Sequence, residues 1–328
     1  MSRRRPPAAE TAPAAAATLW TSGHAIHRGM LDYTAAEDRL WDARLIAWDV
    51  LGAIDSGELV VGPDHEDVHT AVEAWLTRRL GSAGERLHTG RSRNDQIACD
   101  LRLYLKDRLL LLQAGALDLV ESLIGFAEHH ADALWPGYTH QRRAMPSSAG
   151  LWAAAYAEGL LDTVETLPSV YGQVNRSPLG SAAGYGVPLP LKREAAARAL
   201  DFAQVEHNVA LVQAGRGKLE AAVLFWGTQL AHEVSKLSAD VILFSADEFG
   251  FLVLPADLST GSSIMPHKRN PDLFELTRAR AAAVESDLVA ILQLKSKLPS
   301  GYHRDFQLLK EPVMRGVDRL EGMLSMMA

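Results

Sequence analysis

One apolar stripe constrains this chain more than any other feature. Leu219, Val223, Trp226, Leu230, Val234, Leu237, Val241 and Phe244 follow one another at spacings of three and four. That is the seam of a single helix, roughly 39 Å long at 1.5 Å per residue. Only partners of similar length cover such a seam, so a mostly-α fold built on a bundle of long helices is predicted. The stripes exceed what short neighbours bury, which predicts association of several copies through the bundle.

The rest of the pattern agrees. Thr34 and Glu37 form a T-x-x-E capping box ahead of Leu40, Ala43, Ala47, Leu51 and Ile54. A second helix is expected from near Asp64 through Val72, Leu76 and Leu80. A third is expected from Asn94-Asp95 to Leu134, stopped by Trp135-Pro136-Gly137. Another runs from Ser147-Ser148 to a bend or end near Pro168. The last long helix starts after Asn270, with Pro271 at its first position, and ends before Pro299. Strand signals are confined to Glu58–Val61 and Phe249–Leu254.

Composition excludes several classes. Apolar residues are 48% of the 328 and charged residues 22%, so the chain is not wholly disordered. Lys plus Arg is 33 and Asp plus Glu 40, a net charge of -7 with no general pull toward nucleic acid or anionic membranes. No uninterrupted apolar run reaches the ~18 residues of a membrane span. Cys99 is the single cysteine, so no intrachain disulfide is possible and a cytoplasmic location is expected. Residues 1–18 are Arg, Pro and Ala with little else and read as a disordered tail, since Ala14–Ala17 is too short for a signal-peptide core.

Four polar clusters interrupt the helices. The first is His88-Thr89-Gly90-Arg91-Ser92-Arg93-Asn94-Asp95-Gln96, which joins forked cationic donors to a helix N-terminus. The second, Pro136-Gly137-Tyr138-Thr139-His140, sets a histidine after a turn, where it can act as acid or base. The third runs from Ser259 to Pro271 and reads S-T-G-S-S-I-M-P-H-K-R-N-P, a small-residue loop of the kind that closes on an anion. The fourth is Gly301-Tyr302-His303-Arg304-Asp305 with Gln307 and Lys310. Each has a bland reading as a capped turn, solvated loop or exposed basic face. His65-Glu66-Asp67-Val68-His69 fits H-E-x-x-H, with Glu85 as a conceivable third ligand, but Asp64 is a good N-cap and no H-x-x-G-x-x-H extension follows, so no metal is expected. Gly215-Arg216-Gly217-Lys218 lacks the first Gly and the Ser or Thr of a phosphate-binding loop.

Together the clusters resemble a known family. Gly261-Ser262-Ser263-Ile264-Met265-Pro266 with Lys268 and Asn270-Pro271 is similar to the signature of the fumarase/aspartase superfamily. H-T-G-R-S-R-N-D-Q from His88 to Gln96 is narrower and resembles argininosuccinate lyase. Pro136–His140, Ser177-Pro178-Leu179-Gly180, and Tyr302 with Arg304-Asp305 and Gln307 extend the match. The resemblance implies a fumarase/aspartase-type bundle behind a small N-terminal helical domain. It implies a homotetramer with shared active sites, a small-molecule substrate, and no cofactor. Ser262 would be the base, with His140 and Glu275 in the acid–base machinery. Lys268 and Asn270 would hold carboxylates. Ser92, Arg93, Asn94 and Thr139 would bind the succinyl part, and Tyr302, Gln307 and Lys310 the amino-acid part.

The resemblance also implies domain limits: a shortened N-terminal domain over residues 19–95 and the central bundle over 96–328, without the family's C-terminal domain. Two local departures stand out. His267-Lys268-Arg269 is commoner in adenylosuccinate lyases, which keeps that reaction as the alternative. Arg142 stands where the family has a glutamine. An inactive, crystallin-like relative is the alternative of another class.

Overall fold

The computed structural model describes residues 50–328. The expected tail, the capping box at Thr34 and Glu37 and most of the stripe after it lie outside the described residues. In chain order the elements are α1 (Val68–Leu80), α2 (Arg93–His129), β1 (Leu134–Thr139), β2 (Arg142–Ser148), α3 (Ala149–Glu165), α4 (Leu167–Val174) and β3 (Arg176–Ser177). They continue as α5 (Arg193–Ala199), β4 (Gln204–Val205), α6 (Val209–Ala214), α7 (Lys218–Phe244), β5 (Thr260–Gly261), β6 (Arg269–Asn270), α8 (Asp272–Lys295) and α9 (Lys310–Met327). The described chain forms two compact units. One holds the described residues up to Leu105 with Asn175–Ala214 and Ser300–Tyr302. The other holds Lys106–Val174, Gly215–Pro299 and His303–Ala328.

In the first unit α1 starts later than expected, because Asp67 and not Asp64 is its cap. The Asp67 carboxylate accepts the Thr70 N–H at 2.7 Å. His65 therefore precedes the helix and accepts the Gly62 N–H at 3.3 Å. His69 lies within α1, buried, 3.3 Å from Asp100. The H-E-x-x-H spacing does not put two histidines on one helix face, and among the described residues no three His, Cys, Asp or Glu side chains gather as a metal site. Val72, Trp75 and Leu76 pack with Val50, Ala53, Leu59 and Leu87. Glu58–Val61 is a loop rather than the expected strand: Leu59 enters this core, while Val60 and Val61 stay exposed. A second core joins Cys99 and Leu103 of α2 to Leu179, Leu200, Phe202 and Val205.

In the second unit α7 is the helix read from the stripe, with Val223, Trp226, Leu230, Val234, Leu237, Val241 and Phe244 buried. α8 runs antiparallel to it: Gly217 meets Lys295, and His232 meets Glu285 at 3.5 Å. α9 runs parallel to α7, with Leu224 against Gly316 and Leu320 against Gly227. Arg315 and Arg319 of α9 both bond the buried Asp287 of α8, so that carboxylate is charge-compensated where it is desolvated. α9 is a further long helix beyond the one expected to be last. Pro312, Gly316 and Gly322 break up its stripe of Val313, Val317, Leu320 and Leu324 in the sequence.

Two more corrections concern strands. α2 ends at His129 rather than Leu134, and Trp135-Pro136-Gly137 lies within an antiparallel hairpin, paired from Leu134↔Ser148 to Thr139↔Arg142. Trp135 and Tyr138 seat this hairpin on Phe244, Phe249 and Phe251, with ring centroids 5.1–6.3 Å apart. Phe249–Leu254 is not a strand, because Phe251 and Leu252 donate their N–H groups back to the Phe244 carbonyl at the end of α7. α2 also holds an 18-residue window apolar enough for a membrane span, of which a third is buried. Leu110, Leu111, Leu117 and Ile124 leave its outer side apolar and exposed.

Candidate active site

The hairpin places Thr139 and His140 at its tip. His140 and Gln141 form a two-residue turn with φ of 53° and 57°. Both are left-handed, as the twist of a hairpin requires, although neither is glycine. Each costs about 1–2 kcal/mol. Thr139 pairs directly with Arg142, so their side chains share one face of the ribbon. His140 is exposed. Among the described residues no hydrogen bond joins it to Glu275, which is exposed in the first turn of α8.

The serine loop is closed at its neck by β5 and β6, which pair Thr260 with Asn270 and Gly261 with Arg269. Thr260 also bonds Asp272, and Asn270 Nδ2 donates to the Gly261 carbonyl at 3.4 Å. Between these strands the Ser262 Oγ accepts the N–H groups of Ile264 at 3.4 Å and Met265 at 3.1 Å. Two backbone donors aimed at a hydroxyl oxygen favour its deprotonated form. Lys268 lies exposed on the same loop, its N–H bonded to the Met265 carbonyl. Pro271 caps α8 instead of occupying its first turn, so Asn270 belongs to β6.

In the first unit Ser92 caps α2. Its hydroxyl accepts the Asn94 N–H at 3.2 Å, and Asp95 reaches back to the Ser92 N–H at 2.9 Å. The other Asp95 oxygen accepts the N–H groups of Gly180 at 3.3 Å and Ala182 at 2.8 Å. Asp95 is fully buried, and that burial raises its pKa above the usual carboxylate range against the lowering effect of these bonds and Arg91. Asp95 thus ties the H-T-G-R-S-R-N-D-Q turn to the Ser177–Gly180 segment, a function not assigned to it from sequence. The S-x-x-D spacing was its signal. Gly180 has φ of 87°, and a Cβ there would lie 2.8 Å from Arg193, so only glycine fits.

Arg93 is heavily engaged within its own unit. It contacts Asp67 at 3.2 Å, Glu73 at 3.3 Å, Thr70 at 3.1 Å and Gln96 at 2.8 Å. A cleft of about 600 Å³ lies beside this turn, lined by Tyr185, Val187, Leu189, Leu191 and Arg193 among others. Leu191 comes within 3.1 Å of where a Gly90 Cβ would sit, and the Tyr185 hydroxyl within 3.5 Å of the same position on Gly301, next to the half-buried Tyr302. This wall carries no motif in the sequence, where Gly184, Gly186, Pro188 and Pro190 give only turn signals. Gln307 and Lys310 belong to the second unit. Gln307 lies on the 3-10 turn Arg304–Leu309, and Lys310 opens α9. They do not share one continuous α-helix.

Comparison with known proteins places this arrangement. A family model described as lyase matches residues 40–285. The chain is 40% identical to the argininosuccinate lyase of Parabacteroides distasonis, over 94% of this chain and 76% of that one. It is similar to the crystal structure of EDDS lyase in complex with formate, with 27% identity and a TM-score of 0.75, covering 94% of this chain and 62% of that one. It thus spans less than two thirds of that structure. The class II fumarase of Schistosoma mansoni shares the fold at a TM-score of 0.77 and 16% identity, over 93% of this chain and 73% of that one. The chain belongs to the argininosuccinate lyase family of carbon–nitrogen lyases, within the fumarase/aspartase superfamily.

Proposed function

We propose that this chain catalyses β-elimination of argininosuccinate to L-arginine and fumarate, with Ser262 as the base. The observation that carries this is the pair of N–H groups on the Ser262 oxygen, in a loop pinched by β5 and β6. The serine alkoxide takes the proton from the carbon beside a carboxylate. The electron pair left there first makes an aci-carboxylate, then forms the C=C bond as the C–N bond breaks. The departing guanidino nitrogen receives a proton from a general acid, a role for His140 with Glu275. Lys268 and Asn270 hold the carboxylates and stabilise the developing charge. Ser92, Arg93, Asn94 and Thr139 bind the succinyl part, and Tyr302, Gln307 and Lys310 the amino-acid part.

The site is completed in a cytoplasmic homotetramer in which subunits share active sites. The exposed apolar side of α2 supports this assembly, since a soluble helix leaves such a face bare only where another surface covers it. The test offers purified protein argininosuccinate and adenylosuccinate and follows fumarate release, with mass in solution measured alongside. Preference for argininosuccinate in a tetramer, with Ser262→Ala slower by about 10³-fold or more, is expected. Preference for adenylosuccinate assigns the chain to that reaction. Growth of an arginine auxotroph with both wild type and Ser262→Ala would refute the role of Ser262.

A further inference from the structure

The turn Gly215-Arg216-Gly217, ahead of α7, takes no part in the chemistry above. Arg216 is only 8% exposed and Glu220 3%. One Glu220 oxygen holds Arg216 Nε at 3.1 Å, and the other accepts the Gly217 N–H at 2.7 Å. The guanidinium is therefore fixed in its plane, with its Nη2 buried and unbonded among the described residues. Its central carbon stands 5.6 Å from the centre of the buried Phe306 ring. Leu309 comes within 3.5 Å of the Cβ position at Gly217. Phe306 and Leu309 are the two buried residues of the Arg304–Leu309 turn, and Gln307 lies between them.

A desolvated ion pair is a costly way to fill space, since apolar residues of like volume serve stability as well or better. What it adds is direction: a clamped cation holds a ring face in one orientation. We infer that Arg216 is a positioning residue which, through Phe306, fixes the turn that presents Gln307 and Lys310 to the substrate. This rests on the reading that those two side chains contact the amino-acid part of argininosuccinate.

The test uses the full chain and three variants, Arg216→Met, Arg216→Lys and Phe306→Leu, with steady-state kinetics and amide hydrogen exchange. Arg216→Met and Phe306→Leu should raise KM for argininosuccinate about tenfold with kcat within about twofold. Exchange across Arg304–Leu309 should quicken while the interior of α7 stays protected. Arg216→Lys keeps a charge near the ring without the Nε bond to Glu220 and should fall between. Unchanged exchange in the turn overturns the proposal. So does loosening that spreads equally through α7 and α8, loss of kcat at constant KM, or failure of all three variants to fold. Quickened exchange with unchanged KM also overturns it. In that case Gln307→Ala separates the causes: if it too leaves KM unchanged, the substrate role of Gln307 has failed.

Discussion

Replacing Asp95 by Ala removes the carboxylate that links the Ser92–Gln96 turn to the Gly180 loop, without touching a proposed catalytic group. The backbone N–H groups of Gly180 and Ala182, both buried, lose the carboxylate oxygen they now share. Each orphaned buried donor costs about 1–3 kcal/mol, so the loss is about 2–6 kcal/mol. At about 2–4 °C per kcal/mol, the melting temperature should fall by roughly 4–24 °C. Asp95→Asn keeps one acceptor but turns an NH₂ toward a donor, and should lose less. The pH dependence has a definite sign. Burial raises the Asp95 pKa in the folded state, so the stability it confers is fully present below the unfolded carboxylate value and is lost as pH rises through the raised one. The advantage of wild type over Asp95→Asn should therefore widen as pH falls from neutral. Urea titrations of both proteins across that range measure it. An advantage that shrinks on acidification, or an Asp95→Ala variant as stable as wild type, would refute the assignment.

Asp67 carries the opposite sign. Burial pushes its pKa up, but the Thr70 bonds, Arg93 and His69 together outweigh it and hold the value below the usual range. Asp67→Ala should cost about 1 kcal/mol at neutral pH through the lost cap, and that gap should close as pH falls through the depressed value. Gly150 allows α3 to approach the end of α2: a Cβ there would lie 2.6 Å from the Ala127 carbonyl oxygen. Gly150→Ala should destabilise by about 1–3 kcal/mol, read as a lower urea midpoint with unchanged slope.

Much of the candidate site was legible because its proposed groups are local in sequence. Ser262, Lys268 and Asn270 lie within one loop, and Ser92, Asn94 and Asp95 within one helix start. The hairpin was not legible. Its strands run through Pro136 and Pro146, which locally argue against pairing, and their stability comes from aromatic rings on distant segments. The strand expected at Phe249–Leu254 is lost to the N–H bonds of Phe251 and Leu252 back to the Phe244 carbonyl. The first-turn position expected for Pro271 failed because β6 takes up the residues just before it.

By itself the sequence determined that long helices form and which faces they bury, because a spacing of three and four repeats wherever a helix meets a core. It also determined the family, because four ordered motifs match it. Tertiary structure decided what holds those groups in place. Asp95 reaches Gly180 and Ala182 across more than eighty positions of chain, and Arg216 reaches Phe306 across ninety. Such contacts have no period and no local signal. They exist only once the chain has brought a buried charge and its partners out of water together, where an unmet hydrogen bond or an unpaired charge is too costly to leave.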